Sequence, residues 1–405
     1  MEAWYRQDHT SRLKFLKAAI ATALLLLCGN SRVLADNPQP PPNPLEITTP
    51  DPLLPKNQPL NEQELLQFKA SLDELNNQAT TKLRSGNKLA AYDLWHRELR
   101  LRQQLGALEE LAALGRVGGI AWGDNQKAEV KLITQRLQAI QQQAQTQVPL
   151  NLDLLQSLGQ AYQQVRVIAP AIDVYQIILT ASQQQQNQPK VVEALSSLAE
   201  LYLNWFDYPK AAENYEKLLK LSQNQVDVRN QLIHLQQLAN VYDKVKQPEN
   251  SIRIKQQLIA IYLQQQTVDK LPAVKMAIAS DYEAINQPDE ASQNYQEAYQ
   301  LAISQQQFAD ASTALDKLGA LYYSHNHPDA ALQIYQTLLE VEQQSNDFYG
   351  LMNTYDHIGQ IYFAQRNFEQ AKAAFQQGLD LANSLKYQQD YFASQIERVN
   401  QQKSP

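Results

Sequence analysis

The sequence predicts an all-α protein built from repeated pairs of antiparallel helices, and three observations carry that prediction. Glycine is scarce, at 12 of 405 residues, while 44% of residues are hydrophobic and Gln is abundant, a balance that suits long helices and disfavours a turn-rich β fold. Six of the 20 tyrosines, Tyr162, Tyr202, Tyr242, Tyr282, Tyr322 and Tyr362, recur at a spacing of 40, with Trp122 one period earlier. Other positions keep the same beat, which makes the period a structural unit.

The chain opens on what reads as an export signal. Arg12, Lys14 and Lys17 precede an apolar run from Ala18 to Cys28, and Val33-Leu34-Ala35 suits a signal peptidase, so residues 1–35 are expected to be removed. The run is well short of the roughly 20 apolar residues that span a bilayer. A retained anchor or a lipoprotein acylated at Cys28 are the rival readings, and Leu27 stands where a lipoprotein peptidase favours a small residue. Cleavage after Ala35 would leave no cysteine, hence no disulfide, thiolate metal site or Cys nucleophile. It would also remove five basic and two acidic groups, taking the formal net charge from −7 to −10. That balance excludes nucleic acid and anionic lipid as natural partners and favours basic peptides or cations. The expected location is outside the cytoplasm, in the periplasm, with no stable membrane span in the mature chain.

Residues 36–60 hold nine of the 18 prolines and read as a stiff, extended linker. The repeat domain is expected over residues 61–400, with 401–405 as a tail.

Within each period, four residues before the Tyr stands Leu158, Leu198, Leu238, Ile278, Leu318 or Ile358, and three before it Gly159, Ala199, Ala239, Ala279, Gly319 or Gly359. Nine after it stands Ala171, Ala211, Ser251, Ala291, Ala331 or Ala371, and four further on Tyr175, Tyr215, Tyr295, Tyr335 or Phe375. Spacings of three and four put these on one helical face, and the small residues are expected to let two backbones approach while the marker Tyr fills the gap beside them. Pro248, Pro288 and Pro328 share one register, with Pro209 and Pro170 displaced slightly, as for proline in the first turn of a second helix. Six units are clear. The Trp122 unit, with Lys131 and Gln135 out of pattern, and a fainter one with Ala79, Ala91 and Trp95 but Lys82 at the marker position, bring the count to about eight; the Tyr242 unit departs at Lys255.

The ordered pair L-[GA]-x-x-Y and A-x-x-x-[YF] resembles the tetratricopeptide repeat (TPR) consensus over roughly residues 62–400, with a period six residues beyond the usual one of about 34. The resemblance implies a superhelical solenoid that binds a protein or an extended peptide on a wall made by the first helix of each unit. Carried over by register, that wall holds Gln156, Gln236, Asp316 and Asp356 six before the marker, and Gln160, Glu200, Asn240 and Gln360 two before it, joined by Asp153, Glu193, Asp243 and Glu283. Relatives that clamp a carboxylate use Lys, Arg and Asn in such columns, and the near absence of cations here points away from that specificity. Amides can pair with a peptide backbone and carboxylates with its Lys or Arg groups, so the expected ligand is neutral to basic.

No phosphate loop, HExxH helix or paired CxxC occurs, and the expectation is no catalytic role. Gly115, Gly118 and Gly119 lack the strand and the Gly-Lys-Ser/Thr ending of a nucleotide loop and read as a loosened helix. No cofactor is expected, with manganese or calcium as the alternative, held by Asp316 and Asp356 or by His325 and His327 in the turn His325-Asn326-His327-Pro328-Asp329. Signal, proline linker and acidic Gln-rich repeats together resemble exported TPR proteins of cyanobacteria, among them photosystem II assembly factors. That resemblance implies a scaffold or assembly role, with a metal-carrying photosystem factor and an envelope or secretion-system subunit as alternatives.

Overall fold

The computed structural model describes residues 43–46, 51–54 and 60–403. The expected export signal, Cys28 and much of the proline-rich segment lie outside the described residues. Among the described residues the chain forms seventeen α-helices, two short 3-10 helices and no strand. The described residues divide into two compact units, one up to Leu101 and one from Arg102 onward.

In the first unit, helix α1 (Glu62–Arg84) starts at a capping box, in which Asn61 accepts from the Glu64 N–H and Glu64 accepts from the Asn61 N–H. Its buried Phe68, Leu72, Leu75 and Ala79 fall at spacings of three and four, and Ala91, Tyr92, Trp95 and Leu99 of α2 (Lys88–Arg102) are buried too. The Trp95 indole N–H donates to Asn76 at 3.0 Å. The faint first repeat is therefore a helix pair with an ordinary core, and Lys82 at the marker position is exposed. The described parts of the proline-rich segment do not stand off as an extended spacer. Leu45 is 2% exposed, Arg97 donates to both oxygens of Asp51 at 2.7 and 2.8 Å, and Arg100 donates to the Pro44 carbonyl. Burial of one leucine and a bidentate pair hold these turns on α2.

In the second unit the helices follow as α3 (Ala107–Gly123), α4 (Lys127–Gln145), α5 (Leu152–Gln164), α6 (Ile168–Gln184), α7 (Gln188–Asn204), α8 (Tyr208–Asn224), α9 (Val228–Lys244), α10 (Pro248–Gln264), α11 (Leu271–Ala284), α12 (Pro288–Ser304), α13 (Phe308–Ser324), α14 (Pro328–Ser345), α15 (Phe348–Ala364), α16 (Phe368–Leu385) and α17 (Gln389–Lys403). Pro248, Pro288 and Pro328 are the first residues of α10, α12 and α14, where the missing N–H has no helical partner to lose.

From Arg166 to Lys386 one residue every 20 stands in the left-handed region: Arg166, Gln186, Phe206, Val226, Lys246, Gln266, Asn286, Gln306, Asn326, Asn346, Arg366 and Lys386. Each ends a helix by the Schellman pattern. At the first such joint the Val167 N–H donates to the Tyr162 carbonyl at 2.9 Å and the Arg166 N–H to the Gln163 carbonyl at 3.1 Å. The same bond to the marker carbonyl comes from Asp207, Gln247, Gln287, His327 and Asn367. The marker tyrosine is thus the third residue from the end of each first helix, where its backbone closes the turn.

The core differs in one respect from the spacing argument. At Gly159, Gly319 and Gly359 an added Cβ would lie 2.7, 2.7 and 2.5 Å from ring atoms of Tyr175, Tyr335 and Phe375. The small residue accommodates the aromatic of the following helix, not a second backbone, and those aromatics are buried. The marker Tyr ties neighbouring units through its hydroxyl: Gln176 and Gln296 donate to Tyr202 and Tyr322 at 3.1 Å, and Tyr242 donates to Glu216 at 2.6 Å. Gly115 and Gly118 do not loosen α3, which runs unbroken; a Cβ on either would strike Gln164 or Val165 at the end of α5. The helix α17 buries Phe392 and Val399 against the last pair, with Phe392 over Gly378.

Candidate partner-binding surface

First helices meet across units toward both ends of the second unit, α3 with α5, α11 with α13 and α13 with α15. The residues assigned to its wall divide into three groups.

Gln160, Glu200 and Asn240 are exposed, as a recognition surface requires. Gln156 is buried and its Oε1 accepts from no donor among the protein groups, so it faces the stack and not solvent. The others are already engaged by the chain. Glu193 and Asp153 share Lys190 at 3.1 and 2.9 Å, placing a cation in the wall that the register columns did not show. Gln236 donates to the Tyr262 hydroxyl at 3.0 Å, and Glu283 accepts from the hydroxyl of buried Tyr295. Asp243 accepts from Ser251 at 2.6 Å and from Lys255 at 2.9 Å, and Lys255 reaches on to Asp281 at 2.8 Å.

Lys255 is 6% exposed and occupies the aromatic column of Tyr175, Tyr215, Tyr295, Tyr335 and Phe375. Its partner Asp281 occupies the column one before the marker, which elsewhere holds buried Ala161, Leu201, Val241, Leu321 and Ile361. Burial pushes the Asp281 carboxyl up, and the Lys255 ammonium offsets only part of that rise. A buried charge keeps its ionised form only when paired, so the two departures compensate each other across the α10/α11 joint.

At the other end of the unit, the Tyr391 hydroxyl of α17 donates to both oxygens of Asp356 at 3.0 and 3.1 Å, and Gln360 donates to Tyr391 at 3.2 Å and Asp356 at 3.4 Å. Asp316 lies 3.5 Å from His357 Nε2, and the His357 ring stacks on Tyr335 at 5.1 Å. Asp316, Asp356 and His357 line one cavity of about 330 Å³ between α13, α14 and α15. His325 and His327 do not line it. Both are exposed at the α13/α14 joint, where His325 Nδ1 lies 3.0 Å from the Leu321 carbonyl and the His327 N–H caps the Tyr322 carbonyl. Among the described residues no group of three or more His, Cys, Asp and Glu is placed to hold a metal ion.

Lys190, Tyr391 and His357 belong to these clusters and are not among the residues that register selects. Lys190 and His357 lie beside wall columns but are not on them, and Tyr391 belongs to the helix after the last period.

Among the described residues no helix is long and apolar enough to cross a membrane. No curated protein matches the chain. Among solved structures it is similar to BtubC from P. vanneervenii, at 21% identity with 53% of this chain and 91% of that one covered and a TM-score of 0.38. A signal-transduction ATPase with a tetratricopeptide repeat sensor from Pyrococcus horikoshii gives 13%, 78%, 52% and 0.43, and TPR-like repeats of a putative kinesin light chain from Podosopora anserina give 14%, 48%, 96% and 0.38. The family model described as tetratricopeptide repeat matches residues 192–225 and 353–385. Each match contains one full set of the signature, Leu198-Ala199, Tyr202, Ala211 and Tyr215 in the first and Ile358-Gly359, Tyr362, Ala371 and Phe375 in the second. The chain carries tetratricopeptide repeats, and its helices form an all-α fold of the TPR type.

Proposed function

We propose that the chain is an exported, non-catalytic scaffold or assembly factor that holds an extended, neutral-to-basic segment of another protein against the layer of first helices. The observation that supports this most directly is that Asp316 and Asp356 line one cavity while Gln160, Glu200 and Asn240 stay exposed, all of them on first helices, which the TPR resemblance assigns to recognition. Carboxylates and amides at that layer are acceptors for basic side chains and pairing groups for a peptide backbone. Export rests on the sequence of residues 1–35, and an assembly role for a photosystem or an envelope complex rests on the resemblance to exported cyanobacterial TPR proteins.

Affinity capture with the full chain from the envelope fraction of its own organism, repeated with Asp316→Lys and Asp356→Lys together, tests the reading. Partners retained by the native chain and lost by the reversed one support it, and their identity separates photosystem precursors from envelope components. Equal capture by both overturns the assignment of the surface. Manganese or calcium is the alternative occupant of the Asp316–Asp356 cavity, and heat on calorimetric titration with either metal would favour it. The peptide reading is preferred because the carboxylates there are shared with Tyr391 and His357 and are not gathered as a ligand set.

A further inference from the structure

The cavity between α13, α14 and α15 contains a second feature that the wall residues do not explain. Glu342, on α14, is 4% exposed and lines it. Its Oε1 accepts from the hydroxyl of buried Thr354 at 3.1 Å, while its Oε2 has no hydrogen-bond partner among the protein groups. An unpaired buried carboxylate oxygen is costly, and repeat units offer a control for whether the position needs one. At the same register the other units place Ser182, Ser222, Tyr262, Ala302 and Ala382. Only this unit sets a carboxylate there, and the first helix of the next unit supplies its supports: Thr354 donates to it, and Gly350 leaves its space open, since a Cβ there would come 2.5 Å from Glu342 Oε1.

We infer that this cavity receives a lysine side chain of the bound partner, its ammonium drawn to the under-satisfied Glu342 carboxylate together with Asp316 and Asp356. The inference rests on the scaffold reading above and names the group that one part of the surface recognises. An ammonium fits better than a guanidinium because Oε1 is already taken by Thr354. One free oxygen suits a compact donor, whereas arginine prefers two parallel acceptors. The charged and titratable groups around Glu342 are Asp316 on α13, Asp347 at the start of α15, and Asp356 and His357 within α15. Burial foremost, with the repulsion of Asp347 and Asp316, pushes the Glu342 carboxyl up to about 7. A cation delivered with its own donors would relieve that repulsion.

The test is calorimetric titration of the full chain at pH 8 with a seven-residue Gly/Ser/Gln peptide carrying one central lysine, alongside the same peptide with acetyl-lysine or arginine. Binding of the lysine peptide is expected to fall roughly tenfold on acetylation and again roughly tenfold in Glu342→Gln, with arginine intermediate. Asp269→Asn, a distant acidic site, is expected to bind like the native chain. Glu342→Gln removes a buried charge without changing shape, and its thermal midpoint at pH 8, expected to equal or exceed that of the native chain, verifies that it folds. Equal binding of lysine and acetyl-lysine peptides, no binding at millimolar peptide, or native affinity in Glu342→Gln overturns the lysine pocket while leaving partner capture untouched. So does displacement of the peptide by millimolar manganese or calcium chloride that depends on Glu342, which would make the pocket a metal site.

Discussion

Val226 holds a left-handed φ of 56° at the α8/α9 joint with its side chain 78% exposed. A β-branched residue gains no packing there and meets the carbonyl that makes this region costly for L-residues, at roughly 1–2 kcal/mol. The twelve joints at this beat use Asn only at Asn286, Asn326 and Asn346, and none uses glycine. Val226→Asn is therefore expected to stabilise the chain by about 1 kcal/mol, a rise of about 2 °C in thermal midpoint for a domain of this size. Asn286→Ala is expected to move the midpoint in the opposite direction. Circular dichroism melts of the two variants check both, and a fall for Val226→Asn would mean that its side chain packs. At this scale the repeat was legible because Tyr162 and its successors carry two duties, a packed ring and a helix-ending carbonyl. The left-handed joints were not, because Arg, Gln, Phe, Val and Lys give no local sign of positive φ, and only the hydrogen bonds of the finished turn hold them there.

At the scale of helices, Lys255 and Asp281 test whether a repeat can exchange an apolar contact for an ion pair. Lys255→Tyr restores the column aromatic but leaves Asp281 half-buried without its cation. Asp281→Leu restores the column leucine but leaves Lys255 with Asp243 alone. Removing one partner of a buried pair costs about 3 kcal/mol, whereas replacing both by apolar groups that fit is often neutral. Each single variant is expected to lose about that much, and the double variant to return to within about 1 kcal/mol of the native chain, a coupling that urea unfolding can measure. Additive losses would show that the joint is not built as a compensated pair. Lys255 stood out in sequence as a break in the aromatic column, but Asp281 did not, because the column before the marker had not been recognised as buried. The wall residues were harder still. Register placed Asp243 and Glu283 on first helices, yet which carboxylates stay available depends on donors from other elements, Lys255 and Tyr295, whose reach no spacing reveals.

Across the second unit, the joints repeat every 20 residues while the core columns repeat every 40, and the difference decides which deletions the molecule tolerates. Removing residues 187–226 takes out α7 and α8 and brings Gln186, already left-handed, next to Asp227, so the turn is rebuilt from native parts. It also leaves α6 followed by a first helix. The tie in which Gln176 donates to Tyr202 is then replaced by Gln176 facing Tyr242 at an unchanged separation along the chain. Removing residues 207–226 takes out α8 alone and equally rejoins two native turns, but sets α7 against α9, two first helices, and leaves the small-residue column of α7 without the aromatic, Tyr215, that α8 supplied. Because each pair contacts chiefly its neighbours, stability is close to a sum over units and their interfaces. The 40-residue deletion is expected to keep the helical content per residue and a single cooperative melt within a few degrees of the native midpoint. The 20-residue deletion is expected to melt broadly and lose ellipticity. If both deletions melt alike, the 20-residue joint and not the 40-residue core sets the folding unit, and the assignment of first and second helices would have to be redrawn.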